Sequence, residues 1–338
     1  HVVVTVAQII DEFTFSTYDL RYVKIRADGS HSTAKPIPHI GTIIPETVKM
    51  AVDGLGRTHV VWSEEEEIGE MMRYVVISAN GAVSQPRTIG PGPIPLTTPQ
   101  ISADAYGNAF VVWTGVDGSG ITNEVQYRRI TRTGKIGSSI VIPHGAEPVV
   151  ATDHSGRVHL TWKTYDNVTS RIKYARFSPF GSIELQSVVS DEIQSCYSPM
   201  ITVDGLGNAH IMWLGADDSI TTPVFYTRVT ALGRIGSVHQ VDTTNFLLDA
   251  MTSGPNGDVH AVTARPSAEN PNRKVYLLNI ASGGAAVSSD QVSADVMDYM
   301  MPTLTSDPLG QTHMLWYAYD TSTYTCLLYT SDAADDTP

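Results

Sequence analysis

Three observations predict an all-β chain built from copies of one four-stranded antiparallel unit. A ten-residue phrase recurs: "DGLGRTHVVW" (53–62), "DAYGNAFVVW" (104–113), "DHSGRVHLTW" (153–162), "DGLGNAHIMW" (204–213) and "DPLGQTHMLW" (307–316). Downstream runs a tyrosine column, Tyr22, Tyr74, Tyr127, Tyr174, Tyr226 and Tyr276, each followed seven residues later by glycine. No segment shows a sustained 3.6-residue period, so no helix is required. The repeat length of about 50 residues belongs to repeat architectures rather than to separate domains.

Residues 199–245 show how one copy is built. "PMITVD" is a strand that opens after a proline, and "GLG" is a tight turn whose glycine tolerates positive φ. "NAHIMWL" is a second strand, followed by the longer loop "GADDSITTP". "VFYTRVT" is a third strand, "ALG" a second tight turn and "RIGSVHQV" a fourth strand. Apolar, β-branched and aromatic runs divided by Gly, Asp, Asn and Pro carry these assignments. A lone meander of this size cannot bury both its faces. Radial stacking of copies does, so the expected fold is a β-propeller of four-stranded antiparallel blades.

Taken in order, a partial blade spans residues 1–44, with strands "HVVVTVAQ" and "DLRYVKIR" and another near 30–38. Five full blades occupy about 45–298, and a partial blade with "MPTLTSD" and "QTHMLWYAY" fills 299–324. The strand tally exceeds a six-bladed ring by one, which leaves six blades or a truncated seven-bladed ring. All of 1–324 then forms one domain. The stretch "CLLYTSDAADDTP" (326–338) departs from the repeat and resembles the conceptual translation of a sequencing adapter. That resemblance implies a non-native tail over 325–338 on a metagenomic fragment.

The chain has 338 residues, is 42% apolar and 17% charged, and carries a formal net charge of −13. Such an acidic chain has no basic patch with which to displace counterions from a nucleic acid. No run of eighteen apolar residues suggests a membrane span. Outside the tail, Cys196 is the lone cysteine, so no disulfide framework is expected. No phosphate-binding glycine loop, zinc motif or nucleophile elbow occurs. The expected state is a monomer or one part of a larger multidomain chain.

The histidine column comprises His1, His59, His159, His210, His260 and His313, with Phe110 in the same place once. His and Trp lie three apart, hence on opposite faces of a strand. One histidine per blade cannot converge on a zinc ion, and a ring that needs imidazole would not accept phenyl. The histidines are therefore expected to be buried, bonded to a carbonyl or to the turn aspartates Asp53, Asp153, Asp204 and Asp307. Trp62, Trp113, Trp162, Trp213, Trp316 and the tyrosine column are read as packing between blades. No cofactor is expected. Calcium is the one candidate ion, although a single carboxylate per turn is thin coordination for it.

Function should sit where copies differ. The loops between second and third strands contain Glu64, Glu65, Glu66, Glu67, Asp117, Asp166, Asp217, Asp218, Glu269 and Asp320. Meander topology gathers them on one rim, a candidate face for a glycan, a cation or a basic protein segment. First strands line a propeller axis, so Glu46, Glu147 and Asp249 are candidates for an axial carboxylate site with acid–base chemistry on a glycosidic bond.

The D-x-x-G-x-x-H-x-x-W hairpin with its downstream Y…G strand resembles repeats of the broad sialidase-like, BNR-type propeller superfamily of secreted or cell-surface proteins. The resemblance covers about residues 1–324 and implies an extracellular or cell-surface location. Sialidases of that group carry S-x-D-x-G-x-x-W in the third turn, where this chain has "SANG", "TRTG", "SPFG" and "TALG". They also use an arginine trio and a tyrosine nucleophile. Arg21 and Arg73 share a register, but Gln126, Lys173, Phe225 and Val275 follow in the later copies. On these grounds the sequence favours a non-catalytic recognition or scaffold module over an enzyme. A glycan-active hydrolase or lyase and a structural spacer are the alternatives.

Overall fold

A computed structural model describes residues 2–11, 14–25, 30–67, 69–91, 98–120, 122–166, 169–190, 195–216, 222–242, 248–266, 273–281, 287–293, 298–307, 309–320 and 325–332. The Asp-x-x-Gly phrase makes the tight turn first. Asp53 N–H donates to Arg57 O and Gly56 N–H to Asp53 O, both at 3.0 Å. Gly56 accordingly takes φ 74°, a left-handed value that costs a residue without a Cβ nothing. Asp53 Oδ1 then accepts the Leu55 and Arg57 N–H groups at 2.9 Å, closing the loop with its own side chain.

These turns join antiparallel strands in consecutive order. The first sheet holds β1 (Val2–Asp11), β2 (Thr14–Val23) and β3 (Lys35–Ile37). The second holds β4 (Thr42–Val52), β5 (Thr58–Glu66), β6 (Gly69–Ile77) and β7 (Arg87–Pro91). The third holds β8 (Gln100–Ala103), β9 (Ala109–Val116), β10 (Asn123–Ile130) and β11 (Ile140–Pro143). Next come β12 (Gly145–Thr152), β13 (Val158–Asp166), β14 (Thr169–Phe177) and β15 (Ile183–Val188). They are followed by β16 (Ser195–Val203), β17 (Ala209–Ala216), β18 (Val224–Val229) and β19 (His239–Asp242). A single parallel bridge, Ser170 to Ser195, joins these last two groups into one sheet. β20 (Ala250–Ser253), β21 (Val259–Pro266), β22 (Arg273–Ile280) and β23 (Val287–Gln291) form another four-stranded sheet. β24 (Asp298–Ser306), β25 (Thr312–Asp320) and β26 (Thr325–Asp332) complete the set, so part of the C-terminal stretch pairs with β25.

The fold is all-β, and its four-stranded antiparallel sheets resemble propeller blades. Among the described residues there is no helix long and apolar enough to cross a membrane. Two compact units are present, His1–Val150 and Ala151–Pro338, with the division inside β12.

Two details differ from the sequence reading. Three first strands do not open after the proline but run through it, whereas β8 opens directly after Pro99. β4, β16 and β24 each shift register there, between Ile44 and Lys49, Tyr197 and Met200, and Met300 and Thr303. Proline has no N–H to give the ladder, so the strand bulges around it. Fourth strands also start late. After the third turn only one bridge forms, as in Val229 to Ile235, before regular pairing resumes further on.

Packing alternates along the central strands. Trp62 and Val60 of β5 join Leu20, Tyr22 and Ile37 of the preceding sheet in one buried cluster. Val61 of β5 faces the other way and meets Tyr74, Val111 and Trp113 with the following sheet. The second unit repeats this, with Tyr226 packed towards Val259 and Ala261, and Leu277 towards Trp316. Each buried indole removes ~200 Å² from water, worth about 5 kcal/mol at ~25 cal/mol per Å² before entropy is charged.

Turns of neighbouring sheets also interlock. Gly54 N–H donates to Asp104 O at 3.2 Å, and a Cβ on Gly54 would stand 2.6 Å from Ala105 O. Gly205 meets Pro255 O in the same way at 2.8 Å. Gly54→Ala should therefore cost about 1–3 kcal/mol in a urea melt. Gly118→Ala, with nothing within 4 Å of the added carbon, should stay within about 0.5 kcal/mol.

Candidate functional site

The turn aspartate uses one oxygen locally and aims the other at the histidine. In the second sheet Asp53 Oδ2 lies 3.0 Å from His59 Nε2, and His59 Nδ1 lies 2.6 Å from the Tyr74 hydroxyl. In the sheet of β16 to β19 the same links are 3.1 Å (Asp204 to His210) and 2.8 Å (His210 to Tyr226). The β13–β14 hairpin keeps the second link, 2.8 Å from His159 Nδ1 to the Tyr174 hydroxyl, but Asp153 stands 3.6 Å from His159 Nε2, beyond hydrogen-bond reach. Where the ionised carboxylate is in reach it only accepts, so Nε2 carries the proton and Nδ1 accepts from the tyrosine O–H. Asp, His and Tyr therefore form a relay in which the phenol donates to a base that a carboxylate orients. His59, His159 and His210 are at most 2% exposed.

Burial drives the protonation of these groups. It raises the Tyr74 and Tyr174 phenols far above their ordinary value and Tyr226 to about 12. It lowers the His59 and His159 imidazoles, against the pull of Asp53 and Asp153, which keeps both rings neutral. For Asp204, burial pushes upward, but the hydrogen bonds from His210, the Asn208 side chain and the Asn208 N–H prevail and hold it at about 2.

Other copies vary the relay. Phe110 replaces histidine, stacks on Tyr127 at 6.3 Å, and leaves Asp104 Oδ2 to the Asn108 side chain at 2.7 Å. In the β20–β23 sheet the column slips. His260 pairs across the ladder with Asn279 and Tyr276 with Thr263, so Leu277 takes the buried place facing the next sheet. His260 Nδ1 bonds Asn279 Oδ1 at 2.7 Å, and the Tyr276 hydroxyl turns to Gln291. The placement of Tyr276 with the other tyrosines is thus corrected: the tyrosine-to-glycine spacing does not fix the pairing with the second strand, and one residue of slip moves a side chain to the opposite face. His313 is exposed, 3.6 Å from Asp307. Tyr22 is buried, Trp162 is 1% exposed, and His1 lies outside the described residues.

Among the described residues, the acids expected on the rim differ in burial and partners. Glu64 is not a loop residue but the fully buried seventh residue of β5, on the face of Trp62. It accepts Trp62 Nε1 at 2.8 Å, Arg73 Nε at 3.1 Å and Gly41 N at 2.9 Å. Glu66 also pairs with Arg73, while Glu65 and Glu67 are exposed. The sequence missed this Arg73 cluster, because only the β5–β6 register sets Arg73 opposite Trp62. Asp117 accepts from Ser119 and Thr122 within its own loop. Asp166 and Asp320 end strands β13 and β25, and their side chains lie outside the described residues, as do Asp217, Asp218 and Glu269.

Of the axial candidates, Glu46 is exposed inside the β4 bulge and Asp249 is exposed just before β20. Glu147 is half-buried at φ 54°, and its N–H donates to Thr114 Oγ1 at 3.0 Å. Ser198 takes the same left-handed backbone before Pro199 in the next copy, φ 49°, so this strain belongs to the repeat. Among the described residues no three His, Cys, Asp or Glu side chains come together to hold a metal.

The depressed imidazoles fix the sign of a pH effect. Unfolded histidines bind protons near pH 6.5 whereas folded His59 and His159 do so only at lower pH, so the unfolded chain binds more protons on acidification and stability falls. Thermal midpoints should drop between pH 7 and pH 5. His59→Phe with His159→Phe should flatten that slope, and an unchanged slope would show that other groups carry it.

No protein-family model matches the sequence, and no curated protein sequence matches it significantly. Solved structures do. The BP39L lectin of Burkholderia pseudomallei aligns at TM-score 0.59 and 11% identity, covering 94% of this chain and 92% of its own. The α-L-arabinofuranosidase ARB93A of Fusarium graminearum aligns at 0.54 and 10% identity, covering 86% and 94%. The Hadza microbial sialidase Hz136 aligns at 0.52 and 12% identity, covering 94% and 74%. The expectation of a non-catalytic recognition or scaffold module, and with it the preference for no enzyme, is corrected. Two copies carry a complete Asp–His–Tyr relay with the connectivity of a base-assisted nucleophile, and a third keeps its His–Tyr half. By fold, the chain is β-propeller-like and related to glycosidase, lectin and other propeller proteins.

Proposed function

We propose that this protein is a glycan-active hydrolase or lyase of sialidase-like type, built on a BNR-type propeller of six or seven blades and working outside the cell or at its surface. The observation that carries the reading is the relay: a tyrosine O–H donating to an imidazole whose other nitrogen is held by a carboxylate. In a hydrolase, attack by the phenol oxygen on the glycosidic carbon hands its proton to the histidine Nδ1. The departing sugar oxygen takes a proton from a carboxylic acid, and water then releases the sugar from tyrosine by the reverse transfers. Glu147 is our candidate for that acid, with Glu46 and Asp249 the others. Likeness to a sialidase and an arabinofuranosidase supports the substrate class.

Tyr74, Tyr174 and Tyr226 are at most 3% exposed, so a substrate meets one of them only when a sheet edge opens. Turnover should therefore be slow and rise steeply with temperature below the melt. The test is release of p-nitrophenol from a panel of aryl sialosides, arabinofuranosides and hexosides. One of Tyr74→Phe, Tyr174→Phe and Tyr226→Phe should lower kcat at least about 100-fold while KM stays within threefold. Glu147→Gln should lower kcat on poor leaving groups more than on p-nitrophenol. Full activity in all three tyrosine variants, or no turnover across the panel by folded protein, would sink the proposal.

A further inference from the structure

The residue four places after the turn aspartate tracks whether a relay closes. Oδ1 of Asp53, Asp153, Asp204 and Asp307 is pinned in each case by two turn N–H groups. Oδ2 differs. It accepts Arg57 Nε at 2.7 Å in the second sheet and Asn208 Nδ2 at 2.8 Å in the β16–β19 sheet. There the histidine Nε2 also bonds Oδ2, at 3.0 and 3.1 Å. Where the second donor is missing, the histidine recedes. Arg157 gives its Nε to Glu184 and Gln311 gives Asp307 only its N–H, and both Asp–His distances are 3.6 Å. The last torsion of a carboxylate side chain is soft, so a second donor on Oδ2 holds that oxygen towards the ring.

Glu184 is what draws Arg157 away. It follows the Phe177–Ile183 pair after the third turn, and other copies carry Ser32, Ser84, Gly137 or Gly236 at that place. Its Oε2 accepts Arg157 Nε and Arg176 Nε, both at 3.0 Å, and Arg176 Nη1 goes on to Ala231 O at 2.8 Å. In the second sheet the corresponding carbonyl, Arg132 O, is bonded by Arg57 itself, which also reaches Gly107 O. Glu184 and Arg176 thus take over the link that Arg57 makes, and Arg157 stays beside Glu184. The place over the next turn is open. A Cβ on Gly107 would collide with the Arg57 guanidinium, whereas one on Gly207 meets nothing nearer than Ala231 at 3.5 Å. Ser155 Oγ adds a third bond to Asp153 Oδ1 at 2.7 Å, and buried His159 Nε2 has no hydrogen-bond partner among the described residues.

We propose that Glu184 is a positioning residue that keeps the β13–β14 relay open by holding Arg157 off Asp153, so that no carboxylate fixes the proton of His159. Such a ring places its proton on Nδ1 and donates to the Tyr174 oxygen, where it no longer serves as a base. The consequence for catalysis rests on the hydrolase or lyase reading and assigns the working tyrosine to Tyr74 or Tyr226.

The test is the histidine tautomer, read from ring nitrogen NMR shifts in the full chain labelled at histidine. His59 and His210 should be Nε2–H rings throughout, and His159 mainly an Nδ1–H ring in the wild-type chain. Glu184→Gln should lower the Nδ1–H to Nε2–H ratio of His159 at least about tenfold, the worth of one hydrogen bond to a charged group. Arg157→Asn, which installs the amide that Asn208 uses and spares the Glu184–Arg176 pair, should do the same. A wild-type His159 already in the Nε2–H form, or a folded Glu184→Gln chain with the wild-type ratio, would overturn the proposal. If Glu184→Gln does not fold, an unmoved ratio in Arg157→Asn overturns it. Because the readout is a ring proton and not turnover, a chain that cleaves no glycoside would fail the functional reading and not this one.

Discussion

A strand packed on both faces makes every unanswered polar atom costly, and this constraint governs the repeat. Burying an unpaired carboxylate or imidazole costs several kcal/mol, which favours a local partner for each such group that the repeat carries inward. The Asp–His–Tyr chain meets that demand with one residue from the first turn, one from the second strand and one from the third. It welds the hairpin end to the middle of the sheet. Asp104 shows the same rule satisfied otherwise: with Phe110 in the histidine's place, the Asn108 side chain takes up the carboxylate oxygen. The bonds that satisfy burial also align a donor, a base and an orienting acid. Structural necessity and reactive connectivity thus come from one set of contacts.

The two ends of a sheet follow different rules. At the turn end, sheets touch through backbone as well as side chains. Lys35 Nζ donates to Gly81 O at 2.7 Å, Arg87 to Gly134 O, and Arg176 to Ala231 O, each a cation reaching the third turn of the next sheet. Glycines at 54 and 205 let the first turns approach those of the next sheet closely. Leu206, Phe180 and Leu232, third residues of their turns, are exposed, whereas Leu55 reaches over the next sheet's Gly107. At the loop end, length and composition vary from copy to copy, and the acids there follow local needs. Glu64 shows this: it lies inward to neutralise Arg73 and bind the Trp62 indole.

Much of the fold was legible from punctuation. Asp and Gly place the first turn, the Trp at the phrase's end places a buried face, and the Tyr column marks the third strand. These are local signals, written within a few residues of the structure they produce. Tyr276 was misread because column position was taken as register, and the tyrosine-to-glycine spacing does not fix the pairing of β22 with β21. Glu64 was misread because a run of four glutamates looks like a solvated loop. Nothing within that run reveals the arginine on the facing strand. The strained Glu147 was named as a candidate, but its left-handed backbone belongs to the repeat and its Thr114 contact depends on the neighbouring sheet.

By itself, the sequence determined the strand-and-turn grammar, the alternation of buried faces and the absence of any need for helices, because turn chemistry and period-two patterning act over short chain distances. The tertiary structure decided which side chains join into relays, which acid is buried against a guanidinium and which apolar tips stay exposed. Those outcomes depend on register between strands and on the packing of one sheet against the next, where a slip of one residue exchanges inside for outside.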